Sequence, residues 1–316
     1  LRDAIEVDID TLSDGKDFYI AGILEHIEEA GVHSGDSACS MPPFSLSEEI
    51  IDKLKVSVIK IAKAMNVKGL MNVQFAIKDS EIFILEVNPR ASRTVPFVAK
   101  VSGNPIAKIA TKIMTGAQLK HLKYEDKKLE HIAIKEAVFP FKRFPGVDTI
   151  LGPEMRSTGE VMGIDREFGI AFAKSQIACG TDVPIDGVLF VSVKDDDKEK
   201  IYKPVKELED IGFSILATGG TCDFLNQKGI SAKKINKVLQ GSPHIVDEIE
   251  NNDIALVFNT TETPQAIMDS KSIRRSTLEN NIPYYTTVSG AIAAVAGIKA
   301  IRNGEIDVDT IQSYKK

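Results

Sequence analysis

The sequence has little cysteine and no long apolar run. Its three cysteines, Cys39, Cys179 and Cys222, lie far apart and form no C-x-x-C pair. Neither a disulfide framework nor a thiolate zinc site is therefore indicated. No apolar run reaches the length that a bilayer crossing needs, and the first residues lack the layout of a signal peptide. We expect a cytoplasmic protein with no membrane contact.

An excess of positive charge is also missing. The 39 basic and 45 acidic side chains give a net charge of −6, which argues against a general nucleic-acid binder. Any anion site must therefore be local. The chain has 316 residues, of which 43% are hydrophobic, and this is enough for two domains with buried cores.

An initiating Met and a catalytic triad are absent as well. The chain opens within what reads as a strand, which predicts a fragment of a longer protein. The sequence has five histidines but no convincing Ser-His-Asp or Cys-His set beside them. We therefore expect no catalysis by a nucleophilic side chain.

The first part of the chain reads as paired strands and amphipathic helices. Residues 1–40 alternate apolar and charged positions, which predicts a β-hairpin. Ser45-x-x-Glu48 has the pattern of a capping box and opens a long helix. Apolar runs at 70–77 and 81–87 predict a second hairpin. A sheet and helices are therefore expected here.

Later segments change in character. Helices are predicted at 105–115 and 167–177, with loops across the Pro- and Gly-rich stretch 139–163. The segment 180–184 breaks the second helix, and we place a domain boundary there. Beyond it, short β-branched strands alternate with helices, which predicts a parallel sheet covered on both faces. The predicted strands are 188–193, 214–217, 255–259 and 284–287.

The second hairpin carries polar side chains on one face. If its turn centres on residue 80, the residue numbers of each antiparallel pair add up to about 160, so Gln74 faces Glu86 and Asn72 faces Asn88. One carboxylate and several amide oxygens then converge, a set that suits Mg²⁺ better than zinc. Arg90, just past the strand, offers a phosphate oxygen a bidentate partner.

Two interpretations of this hairpin stay open. It is either the polar face of an exposed hairpin or a metal and nucleotide site. The apolar character of the two strands favours the site, because a buried and unpaired Glu86 would be costly.

A glycine-containing turn in the second part predicts an anion site. Residues 216–221 run from a strand through two glycines into a helix, which aims backbone N–H groups at an anion. The segment 259–261 follows another strand, and both loops lie at the same carboxyl edge of a parallel sheet. A plain connection between strand and helix is the alternative. Four basic side chains add positive charge: Lys198, Lys237, Arg274 and Arg275.

Several motifs in order resemble the carbamoyl phosphate synthetase large-subunit family. They are GVHSGDSAC at 31–39, GLMNVQF at 69–75, EVNPRASRT at 86–94, PGVD at 145–148 and LGPEMRSTGE at 151–160. The resemblance covers nearly the whole chain and is to the C-terminal portion of that subunit. It implies a fold that is α/β and α+β, with a partial ATP-grasp domain followed by a Rossmann-like, methylglyoxal-synthase-like parallel-sheet domain. The implied domains are 1–180 and 181–316.

The resemblance also implies a chemistry. The full enzyme would phosphorylate carbamate with MgATP to give carbamoyl phosphate for pyrimidine and arginine biosynthesis, whereas the isolated chain would be inactive. Mg²⁺ or Mn²⁺ and a K⁺ ion near the His33 loop would serve as cofactors. A glutamine amidotransferase small subunit and the remainder of the large subunit would be partners, and a homo-oligomer is left open. The implied residues are Arg90 for catalysis, Gln74, Glu86 and Asn88 for the metal, and Leu1, Glu6, Gly31, Val32, His33, Ser34, Gln74 and Glu86 for ATP.

Regulation is implied for the second domain. By resemblance it would bind a nucleotide monophosphate such as IMP or UMP, and ornithine would bind close to the domain junction. Gly219 and the segment 263–265 depart from the enterobacterial pattern, so the identity of the nucleotide stays open. The implied nucleotide residues are Lys198, Thr218, Thr221, Lys237, Asn259 and Thr261, and the implied ornithine residues are Glu28, Asp36, Glu136 and Thr286.

Two rival functions remain. The second domain could be a methylglyoxal-synthase-type lyase, but residues 238–244 lack the Gly-Asp pair that would supply the carboxylate base. The chain could also be a non-catalytic regulatory and oligomerisation module.

Overall fold

The computed structural model describes residues 3–124, 128–144, 146–261, 264–304 and 306–315. The first part contains an antiparallel seven-stranded sheet. Its strands are β1 (Ile5–Ser13), β2 (Phe18–His26), β3 (Cys39–Met41), β4 (Gly69–Lys78), β5 (Glu81–Asn88), β6 (Ile132–Val138) and β7 (Gly159–Asp165). Their order in the sheet is β5-β4-β1-β2-β3-β6-β7. Both predicted hairpins are therefore confirmed.

Four helices cover this sheet, α1 (Glu48–Ala64), α2 (Val95–Ser102), α3 (Ile106–Met114) and α4 (Phe168–Ala178). The buried side of α1, with Leu54 and Val58, packs against β1 and β4. The predicted cap at Ser45 is wrong. Ser47 caps α1 by accepting from the Ile50 N–H, whereas the Ser45 hydroxyl donates to the Glu25 carboxylate.

Three elements of this part had no clear sequence signal. The strand β6 has two charged residues at its centre, Lys135 and Glu136, and both are buried. They interrupt the apolar pattern by which a buried strand is recognised. The strand β3 has only three residues, and α2 follows directly on the loop after β5.

The predicted loop 139–163 is wrong at its end. The strand β7 begins at Gly159 and pairs with β6 along its whole length. The Pro- and Gly-rich composition indicated loops throughout this stretch, but Gly163 lies within β7, at a point where a helix backbone approaches so closely that only glycine fits.

The second part contains a parallel sheet, as predicted. Its strands are β8 (Val188–Ser192), β9 (Ser214–Thr218), β10 (Ala232–Ile235), β11 (Leu256–Asn259) and β12 (Tyr284–Tyr285). The order β10-β9-β8-β11-β12 reverses between β8 and β11, so the loops after these two strands flank the switch point. Its helices are α5 (Lys198–Asp210), α6 (Gly219–Gln227), α7 (Ile245–Glu250), α8 (Pro264–Asp269), α9 (Lys271–Glu279) and α10 (Val288–Asn303).

The helix α4 joins the two sheets. Gly163 of β7 lies so close to α4 that a Cβ there would overlap the Ala171 carbonyl oxygen. On the opposite side, Gly169 of α4 faces α10, and Phe172 belongs to one apolar cluster with Leu189 of β8. The predicted boundary at 180/181 falls in the loop after α4 and stays a prediction. None of the helices in the described ranges combines the length and apolarity that a membrane crossing requires.

Candidate functional site

A polar cavity of about 120 Å³ opens beside the second hairpin. Strands β1, β4, β5, β6 and β7 and the loops after β2 and β5 contribute to it. The side chains that line it are Asp8, His33, Ser34, Asn72, Gln74, Glu86, Asn88, Arg90, Ser92, Arg93, Thr94, Lys135 and Glu160. All three predicted metal ligands and the predicted catalytic Arg90 are therefore brought together.

A β-bulge sets the register that assembles this cavity. Next to the turn, the residue numbers of each cross-strand pair add up to 159, as in the pair Phe75 and Ile84. The register then shifts by one residue, so that Gln74 pairs with Glu86 and Asn72 with Asn88, as predicted. Because side chains alternate between faces, a strand without this bulge would place Leu85 opposite Gln74.

The predicted burial of Glu86 is wrong. The strand β5 is an edge strand, and Glu86 is exposed there together with Phe83, Ile84 and Leu85. The cost of burying a carboxylate therefore gives no support to the site. The support comes from the register, which places Glu86 beside Gln74 on the rim of the cavity.

Besides Gln74 and Glu86, the predicted ATP residues that the structure describes lie on β1 and on the neighbouring loop after β2. Glu6 of β1 accepts a hydrogen bond from the Gly31 N–H at 3.1 Å, and burial raises the pKa of Glu6. His33 Nδ1 accepts from the Gly35 N–H at 3.0 Å, and Val32 lies in the same turn. Leu1, the other predicted ATP residue of the chain start, lies outside the described residues.

The donor atoms of the cavity fit a divalent cation. Gln74 Nε2 donates to Ser34 Oγ at 3.2 Å, which leaves the amide oxygen of Gln74 to act as a ligand. Asn88 Oδ1 accepts from Arg90 Nη2 at 3.2 Å and has a second lone pair to offer. With the Glu86 carboxylate these form a hard oxygen set that has one charge, which is the kind that Mg²⁺ uses together with substrate phosphates.

Lys135 is a site residue that the sequence did not indicate. Its buried ammonium group donates to the carbonyl oxygens of Ser34 at 3.2 Å and Ser37 at 2.6 Å, and so anchors the loop after β2. Burial opposes its charge, but Cys39 and nearby carboxylates, including Glu160, outweigh this and raise the pKa of Lys135. The only available signal was a charged residue inside an apolar strand.

A buried ion pair supports the floor of the cavity. Asp8 Oδ2 lies 2.8 Å from His26 Nε2, and both side chains are almost fully buried. Burial disfavours both charges, but the mutual contact lowers the pKa of Asp8, and Cys39 and Asp8 together raise the pKa of His26 well above its ordinary value. The pair therefore places a fixed carboxylate beneath Asn72, whose Nδ2 donates to Asp8 Oδ1 at 3.1 Å.

The glycine turn of the second sheet is flanked by lysines. Lys198 Nζ lies 3.2 Å from the position that a Cβ would take on Gly220. Lys234 Cε lies 4.0 Å from the position that a Cβ would take on Gly219. The sequence did not indicate Lys234. Lys237 is exposed. The pKa of Asp195 is lowered mainly by Lys198 and to a smaller extent by Lys237.

The hydroxyl and amide groups predicted for the nucleotide already have protein partners. Thr218 Oγ1 lies 2.9 Å from Ser192 Oγ. Thr221 Oγ1 accepts from the Val193 N–H at 3.3 Å. Asn259 Nδ2 donates to the Tyr284 hydroxyl at 2.7 Å. Thr261 lines a different cavity, described below.

The two arginines expected near this turn belong elsewhere. Arg274 makes a bidentate pair with Asp148 of the first part, with both N–O distances 2.8 Å. Arg275 pairs with Glu279 along its own helix. Lys198 also has a carboxylate partner, since its Nζ lies 2.7 Å from Asp195 Oδ1. It differs from the arginines in lying beside the glycine turn, as Lys234 does, so the lysines supply the positive charge there.

The residues predicted for ornithine are divided among three places. Glu28 and Thr286 line a cavity of about 310 Å³ between the two parts, together with Lys194 and Thr261. Asp36 instead accepts from the backbone N–H groups of residues 156 and 157 at 2.7 and 2.9 Å, which fixes a loop.

Glu136 is buried in a chain of hydrogen bonds. It accepts from Gln176 Nε2 at 2.6 Å, and Gln176 Oε1 accepts from the Tyr285 hydroxyl at 3.2 Å. Burial and the neighbouring Glu28 raise the pKa of Glu136 to about 8, and burial raises the pKa of Glu28 to about 7. These two carboxyl groups therefore hold a proton near neutral pH.

This carboxyl pair predicts a pH-dependent stability. A folded-state pKa raised above the ordinary value contributes stability that is present below about pH 4.5 and lost as the pH rises through about 7 to 8. Glu136→Gln removes one of the two titrating groups. Between about pH 6 and pH 8 the free energy of unfolding of this variant should therefore fall by about 2–3 kcal/mol less than that of the parent. Urea unfolding across this range measures the difference. The exposed Glu154→Gln is the control, and an unchanged pH profile for Glu136→Gln would contradict the prediction.

Comparison with known proteins agrees with both halves of this architecture. The family model "Carbamoyl-phosphate synthase L chain, ATP binding domain" matches residues 1–122, and "MGS-like domain" matches residues 200–286. The carbamoyl phosphate synthase large chain of Rhizobium meliloti (strain 1021) is 58% identical over 320 residues, which cover 99% of this chain and 28% of that one. The large chain of Archaeoglobus fulgidus is 49% identical over 316 residues, covering 99% and 29% respectively.

Solved structures give a weaker likeness. The biotin carboxylase subunit of a pyruvate carboxylase has a TM-score of 0.44 and 18% identity, and the match covers 55% of this chain and 45% of that one. A likeness at this level carries no argument about function.

The fold and site together define the class of protein. An antiparallel sheet with an oxygen-lined cavity, matched over residues 1–122 by an ATP-binding domain model, is joined to a parallel sheet matched by an MGS-like domain model, so the chain combines an ATP-binding domain with an MGS-like domain. More specifically, the chain belongs to the carbamoyl phosphate synthase large-chain family. It spans 28% of the length of the first relatives it matches.

Proposed function

We propose that this chain, as part of a complete large chain, phosphorylates carbamate with MgATP to give carbamoyl phosphate. The observation that carries the proposal is the β4–β5 register, which brings Gln74, Glu86, Asn88 and Arg90 to one cavity. These are the parts that phosphoryl transfer needs, since its catalysis depends on positioning and on neutralising phosphate charge.

Each group has a distinct task in this proposal. Gln74, Glu86 and Asn88 would hold the metal, which neutralises phosphate charge when bound. Arg90 would contact the transferred phosphoryl group and stabilise charge on its oxygens. Lys135 donates to carbonyl oxygens of the loop after β2 and so fixes this loop. Ser34 and its hydrogen-bond partner Gln74 therefore keep their positions.

The wider setting is part of the same proposal. A glutamine amidotransferase small subunit would supply ammonia, and the product would enter pyrimidine and arginine biosynthesis in the cytoplasm. Mn²⁺ would also serve in place of Mg²⁺, and K⁺ would bind near the His33 loop. Ornithine would bind in the 310 Å³ cavity, where Glu28 supplies a carboxyl group.

Product formation tests the proposal directly. The purified full-length large chain, given MgATP, bicarbonate and ammonia, should form carbamoyl phosphate, trapped as citrulline by a coupling enzyme. Removing the divalent ion with EDTA should abolish turnover, and Mg²⁺ or Mn²⁺ should restore it. The reason is that the ion neutralises phosphate charge and is bound jointly by the phosphates and the three predicted ligands, only one of which is a carboxylate. Turnover that persists without any divalent ion would reject the metal assignment.

We further propose that the second domain binds a nucleotide monophosphate at the start of α6. The supporting observation is the pair of lysines, Lys198 and Lys234, beside the glycine turn. Backbone N–H groups at a helix N-terminus together with ammonium groups form a phosphate site. The phosphate would then account for most of the affinity.

Lys198→Ala should therefore weaken the binding of IMP or UMP by about 1–3 kcal/mol, the cost of losing a hydrogen bond to a charged group. Titration calorimetry on the full-length chain measures this. Lys203→Ala on the exposed side of the same helix is the matched control. Equal affinities for both variants, or no binding by the parent at millimolar nucleotide, would remove this assignment.

A further inference from the structure

One buried carboxylate beneath the cavity has no role in the mechanism above. Asp10 lies in the middle of β1 and is fully buried. Its oxygens lie within hydrogen-bond distance of three neutral side chains, with Asn72 Nδ2 at 3.0 Å, Ser92 Oγ at 2.7 Å and Thr94 Oγ1 at 2.5 Å. Its neighbour two residues away, Asp8, has the charged partner His26.

The hydrogen bonds around Asp10 form a closed ring. Besides their contacts with Asp10, Ser92 Oγ and Thr94 Oγ1 lie 2.7 Å from each other. Three oxygen–oxygen contacts need three protons, but the two hydroxyls supply only two. Both protons of Asn72 Nδ2 are already directed at Asp8 and Asp10. A proton on Asp10 completes the ring.

The ring ties the loop that carries the arginines to the centre of the sheet. Ser92 and Thr94 follow β5 and lie between Arg90 and α2. They are 82 and 84 residues from Asp10 in the sequence. Arg90 itself is exposed and bonded to its neighbours Asn88 and Ala91, so its position depends on the loop that holds it.

We propose that Asp10 is a positioning residue, which carries a proton and holds the loop of Arg90 in place through a ring of hydrogen bonds with Ser92 and Thr94. The surroundings agree, since burial and the adjacent Asp8 charge both raise the pKa of Asp10 although its hydrogen bonds oppose this. The consequence for catalysis rests on the proposed function, whereas the protonated ring does not.

Substituting Asp10 distinguishes two possibilities: that the neutral hydrogen-bonded ring is required, or that a negative charge on Asp10 is required. In Asp10→Asn, the amide oxygen accepts from Ser92 and Asn72, and the amide nitrogen donates to Thr94, so the ring survives without charge. In Asp10→Ala it is lost. We expect Asp10→Ala to lower kcat for carbamoyl phosphate formation by about 10²-fold with little change in the KM for ATP, because displacement of a catalytic group by about 1 Å has that effect. Asp10→Asn should recover most of kcat.

Two further measurements keep the inference testable if Asp10→Ala does not fold. Ser92→Ala breaks the ring at one member and should also lower kcat more than KM. Infrared spectra of the parent minus Asp10→Asn should contain the carbonyl band of a protonated carboxylic acid at neutral pH. Equal loss of kcat in Asp10→Asn and Asp10→Ala, or absence of that band, would overturn the inference. If the parent itself made no carbamoyl phosphate, the proposed function would fail and the band would still decide the state of Asp10.

Discussion

Replacing Glu86 by Gln in the full-length chain is expected to lower kcat for carbamoyl phosphate formation by at least about 10²–10³-fold, or about 3–4 kcal/mol of transition-state stabilisation. Glu86 is the one carboxylate among the predicted metal ligands, and Gln has the same shape without the charge. Its exposed position on the edge strand β5 means that the free energy of unfolding should change by less than about 0.5 kcal/mol. Steady-state kinetics at saturating MgATP, with urea unfolding in parallel, measures both.

Glu81→Gln is the matched control for Glu86→Gln. Glu81 is also exposed on β5, but it lies opposite Lys78 at the turn end of the strand, whereas Glu86 lies at the cavity end. Glu81→Gln should therefore keep the parent's kcat. Near-parental kcat in Glu86→Gln would remove Glu86 from the site, and equal losses in both variants would point to a general effect of charge on β5.

Replacing Gly169 by Ala is expected to destabilise the junction between the two parts by about 1–3 kcal/mol. A Cβ at this position would overlap the Ala296 carbonyl oxygen and lie 3.1 Å from the Ala300 Cβ, both on α10. Gly297 faces Gly169 from the other helix, so two glycines let the backbones approach. The helices would have to separate, because the first clash is with backbone and cannot be relieved by rotating a side chain.

The midpoint of urea unfolding measures this effect at an unchanged m-value. Gly159→Ala is the control, since a Cβ there meets no described atom within 4 Å, and its midpoint should stay close to that of the parent. A parental midpoint for Gly169→Ala would show that α4 and α10 adjust without cost and that the two parts are not tightly packed.

Much of the architecture follows from local sequence patterns. Alternating polarity predicted the hairpin β1–β2, two apolar runs around a turn predicted β4–β5, and the change to strands alternating with helices predicted the parallel sheet, because these patterns reflect which face of each element is buried. Motifs at 31–39 and 86–94 indicated the family and most of the cavity residues. The same reasoning failed at β6, because Lys135 and Glu136 are charged residues buried in mid-strand.

The sequence by itself determined most of the elements, the family resemblance and the chemical character of the site. Tertiary structure alone decided which groups meet. The bulge that aligns Gln74 with Glu86, the pairing of Arg274 with Asp148, and the ring around Asp10 each join residues that are distant in the chain or shift a register by one position. Periodicity carries no information on such contacts, because they depend on how several elements pack at once.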